Sequence, residues 1–203
     1  MNTSTICFTT PQEANIAMPI YLDSIKHLIH KERESDQTVV LHTDQEILAK
    51  YASSIVAVVQ SKIIGNSSIY PSKMKPLYTM EIHWYKIKVG ESWSVIIHPD
   101  FRWKGLGKKI TTVALQTFAK EYDIIVWATV NNIMFNLRMK QGFERIPFPR
   151  ELYEEGKKYL APCMEGGESE FYSRAKCMMY NIKLSTEQKN ALIAILTKEY
   201  IQW

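Results

Sequence analysis

The chain has 203 residues, of which 46% are hydrophobic and 23% charged, and its formal net charge at pH 7 is +4. This composition suits one packed domain, and it argues against a disordered chain and a strongly basic nucleic-acid binder. No apolar run reaches the roughly 20 residues of a membrane span, and the N-terminus lacks a secretory pattern, so we expect a cytoplasmic protein. Three widely spaced cysteines predict free thiols: Cys7, Cys163 and Cys177.

The first part of the chain predicts one strand and two helices. Residues 5–9 favour a short strand, and apolar residues at helical spacing over 16–29 predict a helix. Thr43 followed three positions later by Glu46 is a capping box, which predicts a second, short helix through Lys50.

Strand signals follow. Two β-branched runs, 54–60 and 63–70, are separated by two residues and predict an antiparallel hairpin, in which Gly65 indicates a bulge or a close approach. Residues 78–89 predict another strand, which Gly90 separates from a strand over 93–97. Whether these last two form one bulged strand stays open.

A basic glycine turn opens the next predicted helix, 106–120. Gly105 and Gly107 allow left-handed torsions and let a bulky anion approach the main chain and the free N–H groups of the first helical turn. A turn that only starts a helix favours acids, whereas this one is basic. We therefore predict a site for a polyanionic ligand, flanked by the cations Arg102, Lys104, Lys108 and Lys109.

Two common phosphate loops do not match this turn. A nucleotide-binding P-loop needs Ser or Thr after its lysine, whereas Lys108 is followed by Lys109. A dinucleotide fingerprint needs a third small residue where Ile110 stands. An ordinary strand-to-helix turn with solvated lysines stays open as an alternative.

The second half predicts alternating strands and helices. A buried strand over 123–130 follows the helix, and the order strand, helix, strand implies a right-handed crossover. Gly142 predicts the end of a helix over 131–141, and Phe143 starts another strand. Later elements are a helix over 149–159, a linker-like stretch over 165–169, a strand over 174–184 and a capped helix over 186–200.

The pattern Arg102-x-x-Gly105-x-Gly107, after a strand that ends in His-Pro-Asp, resembles the coenzyme A pyrophosphate loop of the GNAT superfamily of acetyl-CoA-dependent N-acetyltransferases. Residues 91–99 resemble the family's fourth strand and residues 131–143 its second motif. The resemblance implies an α/β fold: a mixed, mostly antiparallel sheet of six to seven strands flanked by helices. It implies one domain over residues 1–203 with the C-terminal helix appended, and acetyl-CoA as co-substrate without a metal.

The resemblance also implies the residues that bind the coenzyme. A main-chain N–H of Ile96 or Ile97 suits the developing oxyanion, although plain core packing explains these side chains equally well. Many family members carry Tyr where this chain has Arg138, which leaves the general acid unassigned, with Tyr153, Tyr172 and Tyr180 as substitutes. The implied coenzyme-binding set is Ile96, Ile97, Arg102, Trp103, Lys104, Gly105, Leu106, Gly107, Lys108, Asn131 and Arg138.

Glu91 is the implied general base, because the family often places an acid on its fourth strand. A solvated acid in a turn beside Gly90 is the competing interpretation. Glu81 and His83 are second choices for the base, and His98 is better suited to supporting the turn after the strand.

We therefore expect direct acetyl transfer to a primary amine of a small molecule, an amino acid being one candidate. Arg174 or Lys176 would then pair with a substrate carboxylate. A protein or peptide acetyltransferase and a non-catalytic acyl-CoA sensor stay open. We expect no nucleic-acid or membrane partner, leave a homodimer open, and assign no metal to His27, His30 and Glu34, which share a helical face.

Overall fold

The computed structural model describes residues 5–34, 36, 39, 41–72, 81–82, 85–93, 95–148, 153–154, 157–158 and 160–199. By its internal packing the chain divides into two compact units. The first comprises Met1–Tyr70 and Ser92–Phe118, and the second comprises Pro71–Glu91 and Ala119–Trp203. The single domain over residues 1–203 stays a prediction.

The helices and strands alternate along the chain as an α/β protein requires. In chain order they are β1 (Cys7–Thr9), α1 (Met18–Arg33), α2 (Asp44–Leu48), β2 (Ser54–Val59), β3 (Lys62–Pro71), β4 (Glu81–Ile82), β5 (Tyr85–Lys86), β6 (Val89–Ser92), β7 (Ile96–Ile97), α3 (Leu106–Phe118), β8 (Ile124–Thr129), α4 (Asn132–Lys140), β9 (Glu144–Ile146), α5 (Gly167–Arg174), β10 (Lys176–Asn181) and α6 (Thr186–Glu199).

The first unit has an antiparallel sheet in which β2 pairs with β1 and β3, and β3 pairs with β7. The predicted hairpin is present, but its two-residue turn is Gln60 and Ser61, with φ of 47° and 61°, one position before the predicted Ser61 and Lys62. Both values lie in the left-handed region that such a turn needs to match the strand twist. The predicted capping box of α2 is also present, since Thr43 and Glu46 each accept the other's backbone N–H.

Gly65 shows both features predicted for it. The register of β3 against β2 shifts beside it, so β3 carries one extra residue there. A Cβ added at Gly65 would lie 2.6 Å from Ile97 Cδ1. The glycine therefore lets β7 pack closely against β3.

The second unit has a mixed sheet with the order β6, β8, β10, β9. The pair β6 and β8 is parallel, whereas β10 is antiparallel to both β8 and β9. The mixed, mostly antiparallel α/β class is thus confirmed. The described residues contribute eight such strands rather than six to seven, four in each unit, and β4 and β5 form a separate two-stranded sheet.

The prediction of a single strand over residues 78–89 is wrong, because the described part of this range contains two short strands. Within that range β4 and β5 pair with each other, and residues 78–80 and 83–84 lie outside the described residues. Gly90 does not separate strands but lies inside β6, where an added Cβ would be 2.8 Å from the ring of Tyr122. The ring packs on β6 because glycine has no side chain.

The linker predicted over residues 165–169 is a second correction. Helix α5 begins at Gly167, and the Glu170 carboxylate accepts the N–H of Gly166 at 3.0 Å, which caps it. The strand predicted from Arg174 begins two residues later because α5 continues to Arg174. Of the helix predicted over 149–159, residues 153–154 and 157–158 are helical, and the rest lie outside the described residues.

Each unit has its own apolar core. In the first, the buried face of α1 packs on β2, β3 and β7, and in the second α5 and α6 pack on β8, β9 and β10. Within the part of the chain that the structure describes, no helix combines the length and apolar character that crossing a bilayer requires.

Candidate functional site

The turn between β7 and α3 has a distorted backbone with an open surface. Trp103 and Gly105 have φ of 62° and 74°, both in the left-handed region. The His98 side chain accepts the N–H of Asp100 at 3.4 Å, so it supports the turn as predicted. A Cβ added at Gly105 would find nothing within 4 Å, and one at Gly107 would meet only Val95 Cγ1 at 4.0 Å.

The first turn of helix α3 presents main-chain N–H groups that are not part of the helix's own hydrogen bonds. The Lys109 N–H donates to the carbonyl of Gly105 at 3.1 Å, back into the turn. The N–H groups of Leu106 and Gly107 precede this bond in the first turn of the helix and have no intrahelical acceptor by helix geometry. With Lys104 and Lys108 exposed beside them, they suit a phosphate group.

The Arg102 side chain does not extend over this surface. Its Nε donates to the carbonyl of Ile97 at 3.1 Å, and its guanidinium forms an ion pair with Glu32 of α1. Burial raises the pKa of Glu32, and the charge of Arg102 opposes that rise. Arg102 thus ties the turn to β7 and α1. In this arrangement the predicted binding of the ligand by Arg102 would use its main-chain groups rather than its side chain.

Ile96 and Ile97 have buried side chains and form only two residue pairs with β3. The Trp93 N–H donates to the carbonyl of Ser68 at 2.9 Å, after which the strand is interrupted before β7. Ser94 lies outside the described residues. The question of whether residues 78–89 and 93–97 form one bulged strand is thus answered: they do not, since β6 ends at Ser92 and β7 begins at Ile96.

Trp93 is fixed by two residues that sequence reasoning missed. Its indole N–H donates to His42 Nε2 at 2.9 Å, and Lys50 Nζ lies 3.8 Å from its ring centroid. Burial, reinforced by the charge of Lys50, lowers the pKa of His42 to about 4. No local signal in the sequence indicates this contact, because His42 and Trp93 are 51 positions apart.

We expect this histidine to make the protein acid-sensitive. Its folded pKa of about 4 lies below the unfolded value of 6.5, so the unfolded state binds more protons and stability falls as pH drops from 6.5 towards 4. The loss should reach about 2–3 kcal/mol near pH 4. Urea unfolding at several pH values measures it. His42→Gln keeps an acceptor for the indole without titrating, so its curve should be flatter than that of wild type or of exposed His30→Gln. Parallel curves would contradict the assignment.

Glu91 lies in β6 beside Val126 of β8 and is half-buried. The strand register places it on the same sheet face as Cys177 of β10. Burial and, to a lesser extent, the charge of Glu91 raise the pKa of Cys177 to about 12. Of the alternative bases, Glu81 lies in β4 and His83 lies outside the described residues.

Asn131 is the N-cap of α4. Its side-chain oxygen accepts the N–H groups of Ile133 and Met134 at 2.9 and 3.2 Å. The capping interpretation therefore accounts for the oxygen, whereas the amide nitrogen takes no part in the cap.

Arg138 has no exposed surface. Its guanidinium carbon lies 4.5 Å from the ring centroid of Trp127 and 5.2 Å from that of Phe143. The guanidinium group donates to Gln141 Oε1 at 3.3 Å. Burial lowers its pKa to about 9. A coenzyme contact through this side chain therefore requires the two rings to move.

The candidate substitutes for the family tyrosine differ in their surroundings. Tyr153 is buried, and its ring lies 5.1 Å from those of both Phe171 and Tyr172. Burial raises the pKa of Tyr153, which makes it a weaker acid than an ordinary tyrosine. Tyr180 packs against Phe143 at 5.3 Å between ring centroids.

Arg174 and Lys176 lie at the junction of α5 and β10 rather than on one strand. Arg174 donates to the carbonyl of Val130 at 3.1 Å and pairs with Glu170 at 2.6 Å. Lys176 Nζ donates to Asn132 Oδ1 at 2.8 Å. Among the described residues, no group of three His, Cys, Asp or Glu side chains is arranged to hold a metal ion.

Solved structures share this fold. A GNAT-superfamily phosphinothricin acetyltransferase from Sinorhizobium meliloti, in complex with acetyl-CoA, is 14% identical with a TM-score of 0.57, and the match covers 91% of each chain. A diaminobutyrate acetyltransferase from Paenibacillus lautus, in complex with its substrate and coenzyme A, is 12% identical with a TM-score of 0.56, covering 88% of this chain and 95% of the other. A chain of the NatC complex, bound to a Gag peptide and CoA, is 16% identical with a TM-score of 0.58, covering 88% and 99%.

No protein-family model matches the chain, and no curated protein sequence matches it. The structural likenesses extend over most of the chain at identities of 12–16%, so they show the fold. The chain thus shares the fold of these acetyltransferases, one of which belongs to the GNAT superfamily.

Proposed function

We propose that this chain is an N-acetyltransferase that transfers the acetyl group of acetyl-CoA to a primary amine of a small molecule. The observation that carries the proposal is the turn before α3, where Gly105 and Gly107 leave the backbone open at the start of a helix, beside exposed lysines. Proteins that share this fold and were solved with acetyl-CoA or coenzyme A support acetyl-CoA as the ligand of the turn.

The residues of the turn fit a diphosphate. Main-chain N–H groups between residues 103 and 108 would bind its oxygens, and Lys104 and Lys108 would neutralise its charge. Ile96 and Ile97 would offer main-chain groups to the pantetheine amides, since β7 pairs with β3 over only these two residues. Acetyl-CoA, once bound, supplies an activated acetyl thioester.

In the proposed mechanism Glu91 accepts the proton of the attacking amine, directly or through a water. A carboxylate in this position is worth about 10²- to 10⁴-fold in rate. A main-chain N–H of Ile96 or Ile97 stabilises the oxyanion, because a fixed donor needs no reorganisation during the reaction. Asn131 offers its amide nitrogen to the pantetheine or to a water.

The acceptor is proposed to be a small amine. The phosphinothricin and diaminobutyrate acetyltransferases are named for small substrates, whereas the NatC chain was solved with a peptide, which keeps a peptide acceptor as the second candidate.

The proposal includes a cytoplasmic location, which the free thiols of Cys7, Cys163 and Cys177 favour.

A panel assay tests this function. Purified protein is incubated with acetyl-CoA and amino acids, polyamines, aminoglycosides or peptides, and release of free coenzyme A thiol is followed. We expect release with at least one small amine and heat of acetyl-CoA binding by calorimetry. Binding without release across the panel would favour the acyl-CoA sensor, and absence of binding would contradict the proposal.

A further inference from the structure

Trp103 is far more exposed than the other tryptophans that the structure describes. Its exposed fraction is 87%, whereas Trp93 and Trp127 are buried. An indole in water forgoes the burial that usually stabilises it, and its face is open to a ligand.

The backbone of Trp103 adds to that expectation. Its φ of 62° is unfavourable for a bulky side chain, and such residues cluster at ligand sites. The neighbours on both sides are held: Arg102 by Ile97 and Glu32, and Lys104 by the carbonyl of Asp100 at 3.1 Å. The indole therefore projects from a constrained turn.

The charges around the indole indicate what it contacts. Lys104, Lys108 and Lys109 are exposed cations within six positions of Trp103, and they complement the phosphates of a nucleotide. In coenzyme A the adenosine is joined to the diphosphate, so a diphosphate at this turn brings adenine close to it. Adenine has a flat π-face, and stacking on an aromatic side chain binds such a face without hydrogen bonds.

We propose that the indole of Trp103 is the stacking surface for the adenine ring of coenzyme A. This inference rests on the proposed function, since it assumes a diphosphate at the turn before α3. It assigns to Trp103 a role in selecting the adenosine part of the coenzyme, and no role in the transfer of the acetyl group.

Two variants separate the ring from the backbone. Trp103→Asn removes the ring but tolerates the left-handed conformation, and Trp103→Phe keeps a ring. We expect Trp103→Asn to raise the KM for acetyl-CoA about 5- to 100-fold at unchanged kcat, and Trp103→Phe to change it less than about threefold. S-acetyl-4′-phosphopantetheine, which lacks adenosine, should show the same KM with all three proteins. Melting temperatures check that both variants fold.

A direct probe is 3′,5′-ADP, which carries the adenosine phosphates without the pantetheine arm. It should quench the tryptophan fluorescence of wild type more than that of Trp103→Phe. The inference is overturned if Trp103→Asn weakens acetyl-CoA and S-acetyl-4′-phosphopantetheine equally, because the ring then supports the turn. It is also overturned if the KM for acetyl-CoA does not change, a result that leaves the proposed function intact. Failure of wild type to bind acetyl-CoA would instead overturn the proposed function, and this inference with it.

Discussion

Replacing Glu91 with glutamine is expected to lower kcat about 10²- to 10⁴-fold while the Kd of acetyl-CoA changes less than about twofold. Glutamine keeps the shape of the side chain but has no carboxylate to accept a proton. Because Glu91 lies on β6, away from the turn before α3 in sequence, the change should leave coenzyme binding intact. Steady-state kinetics with an acceptor identified by the panel, and calorimetry with acetyl-CoA, give the two quantities.

The matched control is Glu121→Gln, which removes a carboxylate at an exposed position of the same unit. It should retain wild-type kcat and stability. A pH–rate profile adds a second readout, since Glu91→Gln should lose the acidic limb that wild type shows. Full turnover in Glu91→Gln would move the general base elsewhere, and the wild-type acidic limb would then belong to another group.

Replacing Gly107 with valine is expected to weaken acetyl-CoA binding about 10- to 100-fold without unfolding the protein. The nearest atom to an added Cβ is Val95 Cγ1 at 4.0 Å, so the folded chain has room for a side chain. A diphosphate that approaches the main chain would meet that side chain, and losing one charge-assisted hydrogen bond costs about 1.5–3 kcal/mol. Calorimetry with acetyl-CoA and a thermal melt measure the two effects.

Gly105→Ala is the informative contrast. Gly105 has φ of 74°, so a side chain is strained there even though the space is open. We expect a stability loss of about 1–2 kcal/mol from the backbone alone. If Gly107→Val binds acetyl-CoA as tightly as wild type, the main chain at this turn does not contact the diphosphate.

The sequence predicts those elements whose signals are local. The capping box of Thr43 and Glu46 and the hairpin between β2 and β3 depend on residues within a few positions of each other. The structure contains both, although the turn of the hairpin lies one position earlier than predicted. The predictions of one strand where β4 and β5 pair and of a linker where α5 begins were wrong. Two-residue strands and a helix that opens with two glycines leave little periodicity in the sequence.

The candidate site divides in the same way. The glycine turn before α3 is a contiguous pattern and could be recognised from residues 102–107. The tie from Arg102 to Glu32 joins residues 70 positions apart, and no spacing rule connects them. The burial of Arg138 was also unpredictable, because an arginine on an amphipathic helix is ordinarily solvated, and the rings of Trp127 and Phe143 that lie over it belong to other elements of the chain.

The buried thiol on β10 bears on how opening of the second unit is measured. With a pKa of about 12, only about one Cys177 side chain in 10⁴ is ionised at pH 8, and the thiolate is the form that alkylating reagents attack. Cys7 is exposed and Cys163 is half-buried, so both should be modified before Cys177. Slow alkylation of Cys177 after those events would report local openings that separate β10 from its neighbours. Mass spectra taken over time would therefore measure the rate at which this sheet opens.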